Sequence, residues 1–253
     1  MTTGDYHNRI VWIIGASSGI GRALARELDA RGATLALSAR REEELEMMNT
    51  ALRGRHRVFA LDITEAETVA RTARAIAAAF GRIDHVVCLA AAYTPMRFAE
   101  MDMAVARQMV DINLSGMLNV AHAVLPVFEG QTARGQLALC GSVAGYIGLP
   151  GGQPYSATKA AIINLAESLR VECRESCDVR LISPGFVRTP LTDKNSFDMP
   201  MMIEPEAAAQ AIADGLLSRR FEIHFPKRFT YVLKLLRLLP YGLLLPLLKR
   251  IRP

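Results

Sequence analysis

The chain runs to 253 residues, 51% of them apolar and 22% charged, which suffices for the core of one large α/β domain and excludes a globally disordered chain. Its formal charge of +5 is unevenly spread: from Arg219 to the end, nine basic residues face the single acid Glu222, a local +8 that leaves −3 for residues 1–218. The body is therefore mildly acidic, which argues against a basic nucleic-acid-binding surface, and no nucleic-acid partner is expected.

Short β-branched and apolar runs alternate with longer helical patterns, predicting an α/β fold with a doubly wound, parallel seven-stranded sheet and helices on both faces. The first strand, 9–14, runs straight into Gly15-Ala16-Ser17-Ser18-Gly19-Ile20-Gly21 and then into a helix over 19–31. A glycine-rich turn between strand and helix lets backbone N–H groups approach a pyrophosphate at the positive end of the helix. Gly15, Ser17, Ser18, Gly19, Ile20 and Gly21 are accordingly candidate dinucleotide contacts. The second strand, 34–38, delivers Arg40 to the place where such a fold presents a side chain to the adenosine ribose. An Asp or Glu there would accept from the 2′-hydroxyl of NAD, whereas Arg accommodates the 2′-phosphate of NADP. The competing reading is an exposed basic residue ahead of the helix over 42–53. A third strand, 57–61, ends in Asp62-Ile63, where Asp62 either accepts from an adenine amino group or caps the helix over 65–80.

The fourth strand, 84–89, leads into Ala90 and Ala91, and a helix over 101–128 contains Asn113. The fifth strand, 136–141, ends at Ser142, and thirteen residues later Tyr155-Ser156-Ala157-Thr158-Lys159 stands near the start of a helix over 153–176. Positions four apart share a helix face, so the Lys159 ammonium can stabilise an ionised Tyr155 phenol. A phenol so tuned can exchange a proton with an alcohol or carbonyl oxygen, to which Ser142 adds a second hydrogen bond. A strand over 178–183, a helix over 204–218 and a last strand over 221–225 complete the domain, read as residues 1–226.

Taken together, Gly15, Gly19, Gly21, Asn113, Ser142, Tyr155, Lys159 and Pro184-Gly185 make the chain resemble the single-domain members of the short-chain dehydrogenase/reductase family over roughly residues 9–225. The resemblance implies a Rossmann-type sheet and an NADP(H)-dependent oxidoreductase that interconverts a carbonyl and an alcohol, most simply by reducing a ketone or aldehyde. It implies that Ser142 polarises the substrate carbonyl, that Tyr155 gives it a proton, and that Lys159 holds the nicotinamide ribose while depressing the Tyr155 pKa. Asn113 would interrupt its helix and hold a water linking Lys159 to solvent. Pro184, Gly185, Val187 and Thr189 would lie beneath the nicotinamide, and Ala90 beside the cofactor. A homodimer or homotetramer is the assembly expected. Two positions depart from the family pattern: Ile14 stands where Thr is usual, and Cys88-Leu89-Ala90-Ala91 where Asn-Asn-Ala-Gly is usual. The lost asparagine bonds predict altered cofactor affinity, with binding retained because Ala90 and Ala91 are small. The same fold without turnover, as a nucleotide-sensing or membrane-associated binding protein, is the alternative, and it is disfavoured by the presence of Ser142, Tyr155 and Lys159.

Substrate choice is expected from Thr94–Phe98, Val143–Gln153 and Leu191–Ile203, the last carrying Phe197, Met199, Met201 and Met202 as an apolar lid or as core, which favours a lipophilic substrate. Residues 227–253 form a leucine-rich basic tail whose cations and prolines interrupt any stretch of about 20 apolar residues needed to cross a bilayer. Such a tail suits either the membrane surface or packing on protein. The four cysteines are too sparse for a disulfide framework, and no secretory segment precedes Arg9, so a cytoplasmic setting is expected. Cys173 and Cys177 lack further ligands nearby and no histidine falls in a triad spacing, so no metal and no hydrolase chemistry are expected.

Overall fold

The computed structural model describes residues 5–195 and 197–250. In the first half, β1 (Ile10–Ile14), α1 (Gly19–Ala30), β2 (Thr34–Ser38), α2 (Glu42–Ala51), β3 (Arg57–Val58), α3 (Ala66–Phe80) and β4 (His85–Cys88) alternate as the periodicity predicts. The helix expected over 101–128 is α4 (Met103–Val110) and α5 (Gly116–Glu129), joined by a π-helical turn at Asp111–Ser115. After it come β5 (Gly135–Cys140), α6 (Tyr155–Glu172), β6 (Cys177–Pro184), α7 (Pro205–Leu217) and β7 (Glu222–Phe225). The tail folds into two helices, α8 (Lys227–Arg237) and α9 (Tyr241–Arg250).

The seven strands pair in the order β3-β2-β1-β4-β5-β6-β7, every pair parallel. Because helices cover both faces, the central strands are buried along their whole length rather than alternating; all four residues of β4 and all six of β5 are buried. β1, β4 and β7 fall one or two residues short of their expected spans, and β3 falls three short. The extended chain beyond it still donates from Phe59 N to the Leu37 carbonyl and from Leu61 N to the Ala39 carbonyl, both at 2.9 Å, so the edge pairing reaches Leu61.

Buried polar groups tie the layers together. The Trp12 indole N–H donates to Ser38 Oγ at 2.9 Å, linking β1 to β2, and the Tyr6 hydroxyl donates to the Ala213 carbonyl at 2.6 Å, linking the N-terminus to α7. α8 docks on the β7 end of the sheet, where His224 Nδ1 and Thr230 Oγ1 share a hydrogen bond of 2.5 Å and Lys234 pairs with Glu222. The winding of the chain reverses between β1 and β4, whose last residues Ile14 and Cys88 lie in register. A parallel sheet opens a ligand crevice just beyond the carboxyl ends of its strands at such a reversal.

Candidate active site

The crevice beyond β1 and β4 is a cleft of about 290 Å³. Of the candidate catalytic and cofactor residues, only Asn113 lies outside its lining: Gly15, Ser17, Ser18, Gly19, Ile20, Gly21, Arg40, Asp62, Ile63, Ala90, Ser142, Tyr155, Lys159, Pro184, Gly185, Val187 and Thr189 all line it, whereas of the described residues in the segments expected to choose the substrate only Leu191 and Thr192 do. Residues that spacing did not single out, among them Arg41, Leu89, Ile112 and Cys140, join them.

The nucleotide end is built by close backbone approach. Gly15 has φ +92°, and a Cβ on it would stand 2.8 Å from Ala90 N; a Cβ on Gly21 would stand 2.1 Å from the Gly15 carbonyl oxygen. No side chain fits either position, so the start of α1 presses against the β1 turn and leaves its N–H groups facing the cleft. Ser18 is the N-cap of α1, yet its side chain makes no capping bond, which leaves the hydroxyl for a ligand. Arg40 is exposed and forms no ion pair among the described residues, whereas its neighbour Arg41 contacts Glu44 at 2.5 Å. Asp62 accepts from Thr64 N at 2.9 Å and Thr64 Oγ1 at 2.8 Å, both through Oδ1; it shapes the turn before α3 and keeps Oδ2 for a ligand. These features fit a dinucleotide: a cradle without side chains for its pyrophosphate, an unengaged hydroxyl beside it and an unengaged guanidinium at the ribose position.

At the reacting end, β5 carries Ser142 to its tip and α6 presents Tyr155 and Lys159 one turn apart. Ser142 Oγ accepts from Ala144 N at 3.1 Å and donates to the Pro184 carbonyl at 3.5 Å, a long bond that a substrate oxygen can replace. Lys159 is buried, donates from Nζ to the Cys140 carbonyl at 2.8 Å and stands 5.5 Å from the centre of the Tyr155 ring. Burial holds the Lys159 pKa below its ordinary value. Burial likewise pushes the Tyr155 phenol up, with a smaller opposing effect from Ser142. The expected depression of Tyr155 by Lys159 is thus corrected for the protein groups acting together: the loss of water around the phenol outweighs nearby stabilisation. The phenol is held protonated.

Asn113 is fully buried in the π-turn, where such an extra residue commonly redirects a side chain. Its amide accepts from Ala92 N at 2.7 Å and donates to the Ala92 carbonyl at 2.8 Å and to Thr158 Oγ1 at 3.3 Å. The interruption of the helix is as expected, and its visible work is to clamp the chain leaving β4 against α6. In place of the family's asparagine, Cys88 is a buried filler whose thiol is pushed up to about 12 by burial.

Two aromatic contacts escaped the sequence reading. The Tyr93 ring meets Tyr155 edge-on at 4.9 Å, its hydroxyl donates to Asn195 Oδ1 at 2.7 Å, and its carbonyl accepts from Lys194 Nζ at 2.8 Å. These bonds therefore tie Lys194 and Asn195 to the residue that packs on Tyr155. In the same 191–203 segment Phe197 packs edge-on against Phe186 at 5.9 Å. On the far side, the Tyr146 hydroxyl donates to Glu222, which also binds Lys234. Burial tends to raise Glu222, and these two donors overcome it and hold the carboxyl low.

A parallel sheet reversed at a glycine cradle, with a serine, tyrosine and lysine gathered at one end of the same cleft, defines a nucleotide-dependent oxidoreductase. The family model for short chain dehydrogenase matches residues 9–199, and the chain belongs to that family. An uncharacterized oxidoreductase of Myxococcus xanthus is 32% identical over 248 residues, covering 96% of this chain and 98% of that relative. A short-chain dehydrogenase of Streptomyces avermitilis superposes with a TM-score of 0.79 at 26% identity, over 90% of each chain. A short chain dehydrogenase of Burkholderia cenocepacia, solved in complex with NADP, superposes with a TM-score of 0.85 at 23% identity over 99% of this chain and 100% of that one.

Proposed function

We propose that this protein is an NADP(H)-dependent reductase of ketones or aldehydes whose substrates are hydrophobic. The observation that carries the reading is one cleft lined at its nucleotide end by the unpaired Arg40 and at its reacting end by Ser142, Tyr155 and Lys159. Gly15, Ser18, Gly19 and Gly21 would hold the pyrophosphate, Arg40 the 2′-phosphate, Asp62 the adenine, and Lys159 the nicotinamide ribose. The bound cofactor supplies the hydride that adds to the carbonyl carbon. Ser142 Oγ donates a hydrogen bond to the substrate oxygen and fixes the face that the carbonyl presents. Tyr155 Oη gives that oxygen its proton as negative charge develops on it, so that hydride and proton together yield the alcohol. Lys159 stands beside the Tyr155 ring and stabilises the phenolate left behind. The Tyr93 ring, packed edge-on against Tyr155, supports an apolar substrate. A reducing, cytoplasmic setting belongs to the same reading and is supported by four free cysteines.

The test is consumption of NADPH and NADH with short ketones, fatty ketoacyl compounds and steroid ketones, with Tyr155→Phe as the control. Turnover is expected with NADPH and an apolar carbonyl, falling about 100-fold or more in the Phe variant. Substantial turnover by that variant would remove Tyr155 from its role.

A further inference from the structure

We propose that the outer face of α8 and α9 is a docking surface for an anionic lipid membrane. A surface helix ordinarily turns its apolar stripe inward and its polar stripe to water. α8 does turn Thr230 and Leu233 inward, but Tyr231, Val232, Leu235 and Leu238 are 54–79% exposed. Tyr231, Leu235 and Leu238 follow at four and three residues along one stripe, with Val232 at its edge. α9 differs in arrangement but is also apolar outside: Leu244 and Leu248 are buried, while Tyr241 and Leu245 on one flank of them and Leu243 and Leu247 on the other are exposed.

The charges around this apolar face identify its occupant. Lys227, Arg228, Arg237, Lys249 and Arg250 are exposed and form no ion pair among the described residues. The one acid after Arg219 is Glu222, already bonded to Lys234 and Tyr146. A second copy docked through the same face would set these cations against their own counterparts with no carboxylate between them. An anionic bilayer offers what the face lacks, phosphate charge for the cations and hydrocarbon for the leucines. With 11 and 10 residues, α8 and α9 are each about 16 Å long, roughly half the hydrocarbon thickness. They lie along the interface and do not cross it.

The surface adjoins the reacting end. The Phe229 ring, on α8, lies 5.4 Å from that of Phe186, and a Cβ on Gly185 would stand 3.0 Å from Phe229. Docking therefore brings the loop beneath the nicotinamide position close to the lipid.

Sedimentation of the full chain with vesicles tests this without reference to activity. The chain is expected to sediment with vesicles of phosphatidylcholine and phosphatidylglycerol in equal parts, to stay largely in solution with phosphatidylcholine alone, and to be released by high salt. Arg237→Gln combined with Arg250→Gln should weaken binding about 30-fold, from two interfacial cations. Leu235→Glu combined with Leu243→Glu should abolish it while leaving the circular dichroism spectrum and melting temperature unchanged, since both leucines are exposed. Equal sedimentation by these variants and the parent would overturn the proposal. So would a parent that ignores anionic vesicles but forms a dimer that the Leu235→Glu, Leu243→Glu variant dissolves.

Discussion

Arg40→Ala isolates the charge on which the choice between NADP and NAD depends. Arg40 is exposed and unpaired, so its attraction for a 2′-phosphate is close to that of a free charge in water. At about 4 Å, one unit charge pair in water is worth about 1 kcal/mol, and a phosphate bearing nearly two charges gives about 2 kcal/mol. That corresponds to roughly a 30-fold rise in the dissociation constant of NADPH, with NADH unchanged because it lacks the phosphate. Arg41→Ala should matter less, because its guanidinium is engaged by Glu44. Calorimetric titration of both nucleotides against the parent and the two variants reads the difference, and rising salt should shrink the Arg40 effect. Equal losses for NADPH and NADH, or an Arg41 effect larger than that of Arg40, would refute the assignment of the charge.

Two further outcomes follow from geometry and titration. Gly21→Ala places a methyl group 2.1 Å from the Gly15 carbonyl oxygen, a backbone clash that should cost about 3 kcal/mol or more; a melting temperature lowered by roughly 6–12 °C and lost nucleotide binding are expected, whereas an unchanged melt would mean that the cradle yields. Burial, with Lys234 and Lys227 nearby, lowers the His224 pKa from 6.5 to about 4. The unfolded chain then binds a proton that the folded chain refuses between these values, so stability is complete above 6.5 and declines as pH falls toward 4. Urea unfolding should show that decline flattened in His224→Asn, and identical slopes for parent and variant would contradict it.

The doubly wound parallel sheet, and the glycine turn, Arg40 and Asp62 that line its cleft, were legible because each is written locally. A strand, a glycine turn and a helix occupy consecutive residues, and parallel strands between helices admit few connections. That Ser142, Tyr155 and Lys159 would share one cleft was legible only through their combination with the glycine turn, Asn113 and Pro184-Gly185, since the four-residue spacing of Tyr155 and Lys159 is by itself an ordinary helix pattern. Tyr93 was not, since its contact with Tyr155 arises only when the chain leaving β4 crosses in front of α6. Nor was the direction of the Tyr155 shift, because spacing reveals neighbours on a helix but not how much water the packed elements remove from a phenol. The tail was legible as a basic, leucine-rich segment interrupted by prolines, and Pro240 stands between its two helices. Asn113 illustrates a middle case: its position was recognised, while its clasp on Ala92 depends on a π-turn that sequence periodicity averages away.

The bonds from Tyr146 and Lys234 to Glu222 make the end of the chain a non-detachable part. A shortened chain would strand a half-buried carboxylate without its cation, next to the segment that follows Ser142, and would perturb turnover for reasons unrelated to lipid. The same applies to grafting. A tail exchanged between two relatives is transferable only as a unit with the residues at 146 and 222 that receive it, which makes these three positions the natural suture for chimeric enzymes of this kind.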